Sequence, residues 1–247
     1  MSGLTKRQDA FGLALWDHLH GKARGAVIER DDGTVETLGN LGAFFERPRD
    51  WPERQRRAIR LARGRVLDAG CGGGRVALYL QGKGLDVCGI DYSPLAVKAC
   101  RSVGLKHAKV LSATQVKPRL GVFDTVIMYG NGFGLLGNPR TARWWLRRMC
   151  SATSPAARII AEANDPYRTK DPMHLAYHRR NRRRGRKAGQ VRIRVRYRNL
   201  ATPWFDWLLV SKAEMRQLVA GTGWRVARFI DSPKSMYVAV LEKERQP

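Results

Sequence analysis

The sequence is short of acid. Against 46 Lys and Arg it sets 21 Asp and Glu in 247 residues, for a formal net charge of +25. It is also short of cysteine, with four, and none of these forms a C-x-x-C pair or stands at zinc-ligand spacing with the histidines. Cys71, Cys88, Cys100 and Cys150 therefore read as reduced, mostly buried thiols, and no metal ligands are assigned. No apolar run approaches the ~20 residues of a membrane span. Met1 to Lys22 lacks the apolar centre of a secretion signal. The expected setting is cytoplasmic, with no membrane partner. Internal repeats and low-complexity linkers are missing too.

What is present is enough apolar residue for a real core, 43% of the chain, in a length that fits one large domain or a domain with an insertion. Asp9 to His20 reads as a first helix and Asp31-Asp32-Gly33 as a turn. Trp51-Pro52 opens a helix running to about Arg63. From Arg65 strands and helices alternate: strands at 66–68, 86–90, 108–111, 123–129 and 158–162, helices at 75–80, 93–101 and 139–150. This rhythm predicts a doubly wound parallel sheet. After Asp165 it breaks. His174 to Arg186 is polar, aromatic and very basic. Gln190 to Asn199 then alternates strictly, with Val191, Ile193, Val195 and Tyr197 on one face and Arg192, Arg194, Arg196 and Arg198 on the other. Pro203 to Val210 reads as its hairpin partner. A helix over 211–220 and strands at 224–230 and 236–241 close the chain. Three segments follow: a helical cap over 1–64, a core over 65–164 and 211–247, and a basic lid inserted over 165–210.

The strongest signal is Asp68-Ala69-Gly70-Cys71-Gly72-Gly73-Gly74, directly after a strand and before a helix. Glycines there let the chain turn sharply and let a ligand touch backbone. Asp91 stands twenty-one positions after Gly70 at the end of the next strand, placed to hydrogen-bond ribose hydroxyls at the switch point of the sheet. A nicotinamide fingerprint is the rival reading. It wants a small residue where Arg75 stands, and Asp68 would repel a pyrophosphate. Asp68 suits instead a cationic ligand bearing an ammonium and a sulfonium.

At these residues the chain resembles the class I, Rossmann-like S-adenosylmethionine-dependent methyltransferases. VLDAGCGGG is similar to their first motif, GIDYSPLAV to their second and FDTVIMYGN to their fourth-strand motif. TGW and the closing YVAVLEK resemble their usual carboxyl terminus. The resemblance implies a seven-stranded, mostly parallel sheet with the last strand antiparallel, flanked here by amino-terminal helices and a lid hairpin. It implies S-adenosylmethionine as cofactor. Asp68 and the backbone at Gly70, Cys71 and Gly72 would hold its methionine end. Asp91 would hold the ribose and Tyr92 the adenine, with Ser112 and Ala113 at the adenine amine, where the family often has Asp. Tyr129, Gly130 and Asn131 would line the pocket where cofactor meets acceptor.

Methyl transfer needs alignment and exclusion of water more than a base, so the lack of a nucleophile–base triad is no objection. Candidate acceptor-side residues are Asn131, Glu162, Asp165, Tyr167, His174, Tyr177, His178, Trp204 and Asp206. Of these Asn131, Tyr177 and His174 are expected nearest the chemistry. For His178 an exposed helix face is the preferred alternative, for Trp207 a lid core. The Arg179 to Arg198 region reads in two ways: as an RNA-binding surface, or as a solvated lid over a small-molecule pocket. The high charge itself is either a field for anions or a product of Arg-rich composition. No appended RNA-binding module is visible, and Tyr-Gly-Asn-Gly replaces the N/D-P-P-Y/F motif of many nucleic-acid base methyltransferases. The expectation is a small-molecule acceptor, with ribosomal or transfer RNA as the alternative.

Overall fold

The computed structural model describes residues 4–244. The outermost residues of the expected cap and core, 1–3 and 245–247, lie outside the described residues. In chain order the elements are α1 (Ala10–Leu19), β1 (Val27–Arg30), β2 (Val35–Thr37), α2 (Glu53–Ile59), β3 (Val66–Ala69), α3 (Arg75–Gly82), β4 (Val87–Asp91), α4 (Pro94–Ser102), β5 (Ala108–Val110), β6 (Phe123–Met128), α5 (Pro139–Ser151), β7 (Thr153–Asn164), α6 (Pro172–Arg183), β8 (Gln190–Tyr197), β9 (Leu200–Ala201), β10 (Phe205–Leu208), α7 (Lys212–Val219), β11 (Trp224–Asp231) and β12 (Met236–Lys243).

Seven strands form one sheet in the order β11-β12-β7-β6-β3-β4-β5. The strands β7, β6, β3, β4 and β5 pair in parallel, and β12 runs antiparallel to both its neighbours. Helices cover both faces, so all four residues of β3 are buried, as a parallel strand requires. One apolar layer gathers Phe133, Trp145, Met215 and Trp224 under α5 and α7. The other gathers Trp51, Ala77, Leu80 and Val97 under α2, α3 and α4. The helix starts are set locally. Ser93 caps α4 by accepting from the Ala96 amide at 2.9 Å, ahead of Pro94. Ser211 and Glu214 make a reciprocal capping box on α7.

The second sheet changes the expected picture of the cap. Residues 1–64 carry more than helices: β1 and β2 form a hairpin across the Asp31-Asp32-Gly33 turn, and β1 pairs antiparallel with β8 of the insertion. The order is β10-β8-β1-β2, with β9 on β8. Amino-terminal cap and insertion thus share one sheet. Val195 and Tyr197 of β8 are buried, and the arginine face points outward, as the alternation requires. Those arginines meet carboxylates. Arg194 makes a two-pronged pair with Glu29, at 2.9 and 3.0 Å, and Arg196 reaches the same carboxylate at 3.3 Å. Arg198 meets Asp17 at 2.6 Å and Arg192 meets Asp206 at 3.5 Å. The basic stretch before β8 folds into α6, capped by Asp171.

The shared sheet is tied to the larger one at the carboxyl ends of its strands. The insertion leaves from the end of β7 and returns where the Val210 amide donates to Asn164 O at 3.0 Å. Its β10 packs on the turn after β6, with the Trp207 indole against Gly134.

Candidate active site

The chain after β3 turns through Gly70 and Gly72 with φ of 84° and 52°, a left-handed backbone that favours glycine. A Cβ would clash at Gly70 and fit tightly at Gly72. An atom there would stand 2.5 Å from Leu135 at Gly70 and 3.1 Å from Phe44 at Gly72. The loop leads into α3 and is closed from above by the amino-terminal cap, with Phe44 and Phe11 over Gly72 and Phe45 over Gly73. None of these cap contacts was foreseen.

Asp68, at the end of β3, is buried at 2% exposure, and its Oδ2 meets no donor. Burial pushes its carboxyl up to about 7, with the Ala77 amide and the Arg75 charge pulling the other way. An orphaned acid beside a glycine cradle fits a ligand that brings an ammonium group, so the donor set suits the methionine end of the expected cofactor. Asp91 closes the same loop: Oδ2 accepts from the Gly72 amide at 3.0 Å and Oδ1 from Ser93 at 2.9 Å. Its carboxyl is also raised by burial. Each oxygen retains a lone pair for ribose hydroxyls. Tyr92 is 42% exposed beside it, open to stack on a base.

Other expected contacts are reshaped. Ser112 caps the turn over 113–115 and bonds Thr114, while the Ala113 carbonyl receives the Trp145 indole N–H at 2.8 Å. The Cys71 thiol is buried, its Sγ 3.7 Å from that of Cys100, and Cys100 donates to Gly72 O. Hydrogen bonding to Cys100 and burial push the Cys71 thiol up, which makes it inert packing. Tyr129 is buried, donating its hydroxyl to the Gln55 carbonyl at 2.9 Å beside Trp51.

Beyond β6 the chain runs through Gly130 and Asn131, both left-handed, at φ 66° and 59°. Glu162, fully buried at the end of β7, fixes this pair. Its Oε2 accepts from the Gly130 amide at 2.7 Å, the Asn131 amide at 3.3 Å and Gln55 Nε2 at 2.8 Å, and its Oε1 accepts from Arg54 at 2.6 Å. Arg75 extends the network, donating to Gln55 at 2.8 Å and standing 3.6 Å from Glu46 and over the Trp51 ring. Glu162 was expected as an acceptor-side candidate. Its four hydrogen bonds make it the anchor between α2 and the Asn131 loop.

The other two residues expected nearest the chemistry have partners elsewhere. Tyr177 is buried in α6, where its hydroxyl donates to Asp31 at 2.6 Å and accepts from the Arg192 amide. His174 meets Glu36 at 3.0 Å. Both bonds fasten α6 to the β1–β2 hairpin. His178, for which an exposed face was preferred, is buried at 5% with its ring against Tyr167, because α6 turns that face onto the body. Tyr167 itself is exposed and donates to Glu214, and the Asp165 side chain caps the Tyr167 amide. Trp204 lies under Arg194. Of the three, only Asn131 adjoins the glycine-loop side.

Residues 66–156 match a family model described as a methyltransferase domain. No curated protein matches the chain by sequence. Among solved structures, the chain is similar to a SAM-dependent methyltransferase from Bacteroides fragilis in complex with S-adenosyl-L-homocysteine. The identity is 26% and the TM-score 0.84, over 99% of this chain and 98% of that one. At lower identity its fold matches an amino pentose methyltransferase from Micromonospora echinaspora (18%, TM-score 0.53, 80% and 94% covered). It also matches a 1,6-didemethyltoxoflavin-N1-methyltransferase from Burkholderia thailandensis (16%, TM-score 0.52, 90% and 97% covered).

Proposed function

Since the chain belongs to the class I S-adenosylmethionine-dependent methyltransferases, we propose that it methylates a small molecule, held between the Gly130–Asn131 loop and a cap made jointly by residues 1–64 and 165–210. The observation that carries this reading is the pairing of the β8 arginines Arg192, Arg194 and Arg196, and of Arg198 in the turn after them, with Asp206, Glu29 and Asp17. A surface that neutralises phosphates needs free cations. These four are paired within the cap instead, so the Arg192–Arg198 part of the expected RNA-binding face is occupied within the chain. The Micromonospora and Burkholderia proteins, by their descriptions, act on small molecules.

Bound S-adenosylmethionine supplies an activated methyl: the acceptor's electron pair forms the new bond while the carbon–sulfur pair leaves on sulfur. The chain's own part is to hold and to exclude. Asp68 and the Gly70 and Gly72 backbone would take the methionine end, Asp91 the ribose and Tyr92 the base. The backbone at Gly130 and Asn131 would face the acceptor. Phe11, Phe44, Phe45 and Leu135 keep water from the loop. The four thiols are all free, in keeping with a cytoplasmic setting; no helix among the described residues is long and apolar enough to cross a membrane. The test is S-adenosylhomocysteine release from S-adenosylmethionine with a low-molecular-weight cell fraction as acceptor source. Release only with the RNA fraction would overturn the reading.

A further inference from the structure

Two carboxamide oxygens at the carboxyl ends of β6 and β7, Asn131 Oδ1 and Asn164 Oδ1, are buried and meet no donor. Leaving a buried acceptor unpaired costs about 1–3 kcal/mol, so such an atom calls for a donor from outside the chain. Both belong to residues at the carboxyl ends of neighbouring parallel strands: pairing sets Met128 of β6 against Ala161 of β7, and each chain runs three residues further, to Asn131 and to Asn164. Asn164 follows Glu162 by two residues and emerges on the same face of β7. Glu162 in turn holds the Asn131 amide and its left-handed backbone. Arg54, the cation at this point of α2, is matched by Glu162 at 2.6 Å and does not repel a developing positive charge.

From this geometry we propose that the methyl acceptor is an amine nitrogen. Its N–H groups are received by Asn131 Oδ1 and Asn164 Oδ1, and Glu162 is the positioning residue that sets the first of these oxygens. The inference rests on the small-molecule reading only in placing the acceptor beside the Gly130–Asn131 loop. Two N–H bonds to two fixed oxygens leave the nitrogen lone pair as the remaining direction, free for the new bond to carbon. A hydroxyl brings one donor and a carbon nucleophile none, so either leaves an oxygen unpaired. As the nitrogen forms its fourth bond it becomes an ammonium and its N–H groups become stronger donors. The two carbonyl dipoles therefore bind the transition state better than the ground state. The acceptor enters as the neutral amine, any proton on it having gone to solvent before binding, and the ammonium formed by transfer keeps its protons until release, so no base is needed at the site.

Two ligands read this directly, because sinefungin differs from S-adenosylhomocysteine by an amine placed where the methyl group sits. Calorimetry on the full chain should give sinefungin an advantage of about tenfold or more, the worth of charge-assisted hydrogen bonds. Asn131→Gly keeps the left-handed backbone and should remove most of that advantage while leaving S-adenosylhomocysteine binding unchanged. Asn164→Ala should act in the same direction, and Asn131→Asp should restore or exceed the wild-type ratio. Variants that keep the wild-type ratio, or lose both ligands equally, would overturn the proposal. An RNA acceptor would appear as salt-dependent RNA methylation without altering this ratio, so the two readings fail separately.

Discussion

The glycine-loop site and the cap hold themselves together by different means. The first is built by parallel strands buried on both faces, with neighbours in sequence meeting in space: Asp91 receives the amide of Gly72, nineteen residues away. The cap is built from two segments far apart in the chain, joined by the β1–β8 ladder, by an apolar cluster of Ala14, Leu15, Ala26, Leu41 and Tyr197, and by polar pairs: Glu29 meets Arg194 at a separation of 165 residues and Asp17 meets the Tyr197 hydroxyl at 180. A core site made this way is rigid before any ligand arrives. The partly exposed ion pairs of the cap are individually weak, so its seam should open at lower cost than the buried strands of the core.

The comparison breaks first, and most strongly, at Glu162, which ties α2 of the amino-terminal segment to the Gly130–Asn131 loop of the core. Glu162→Ala would leave Arg54, Gln55 and two backbone amides facing an empty site. It should destabilise the protein by about 3–5 kcal/mol, the cost of orphaning one side of a buried ion pair, measured by urea unfolding. Asp17→Ala removes the acceptor of Tyr197 and Arg198 inside the cap. It should cost about 1.5–3 kcal/mol, and amide exchange should quicken in β1 and β8 while β3 and β6 stay protected. Uniform loss of protection would mean that the cap is no separate unit. On the core side, Asp91→Ala should weaken S-adenosylhomocysteine binding by about 1.5–3 kcal/mol, read by calorimetry.

A further effect is set by pH. Asp68 is raised from 3.8 to about 7 in the folded protein. The folded state therefore holds this proton more tightly than the unfolded chain. The resulting stability is fully present below about 4 and is lost as pH rises to about 7. The ionised form is the one that pairs with an ammonium, so S-adenosylhomocysteine affinity should increase with pH through about 7. Asp68→Asn should flatten both profiles, and a pH-independent affinity in the wild type would contradict the role of Asp68.

The same division decides what was legible in the sequence. Asp68, the glycines, Asp91 and the strand–helix rhythm are local signals; the rhythm gives the doubly wound parallel sheet, and the seven strands with β12 antiparallel are what the resemblance carried by those motifs implies. The β1–β2 hairpin was missed although its signature, Val27 to Arg30 and Val35 to Thr37 around Asp31-Asp32-Gly33, is written in the sequence. Only the turn was read, because each strand is short and its partner β8 lies far along the chain. The charge partners of the β8 arginines, and the burial of His178 and Tyr177, are products of that long-range pairing. Periodicity reports a face, not what covers it. The network of Trp51, Arg54, Gln55 and Arg75 was hidden for the same reason: a helix start was visible there, but not the sheet end on which it rests.

The measurement that bears most directly on the account is methylation by the Arg182, Arg183 and Arg184 triple alanine variant, followed as S-adenosylhomocysteine release. All three side chains are exposed, Arg182 and Arg183 on the last turn of α6 and Arg184 at its carboxyl cap. The account predicts turnover with the low-molecular-weight fraction within about twofold of wild type, as expected of surface changes outside a pocket, with no dependence on added RNA. Turnover that requires RNA, falls steeply with salt and disappears in the triple variant would contradict it.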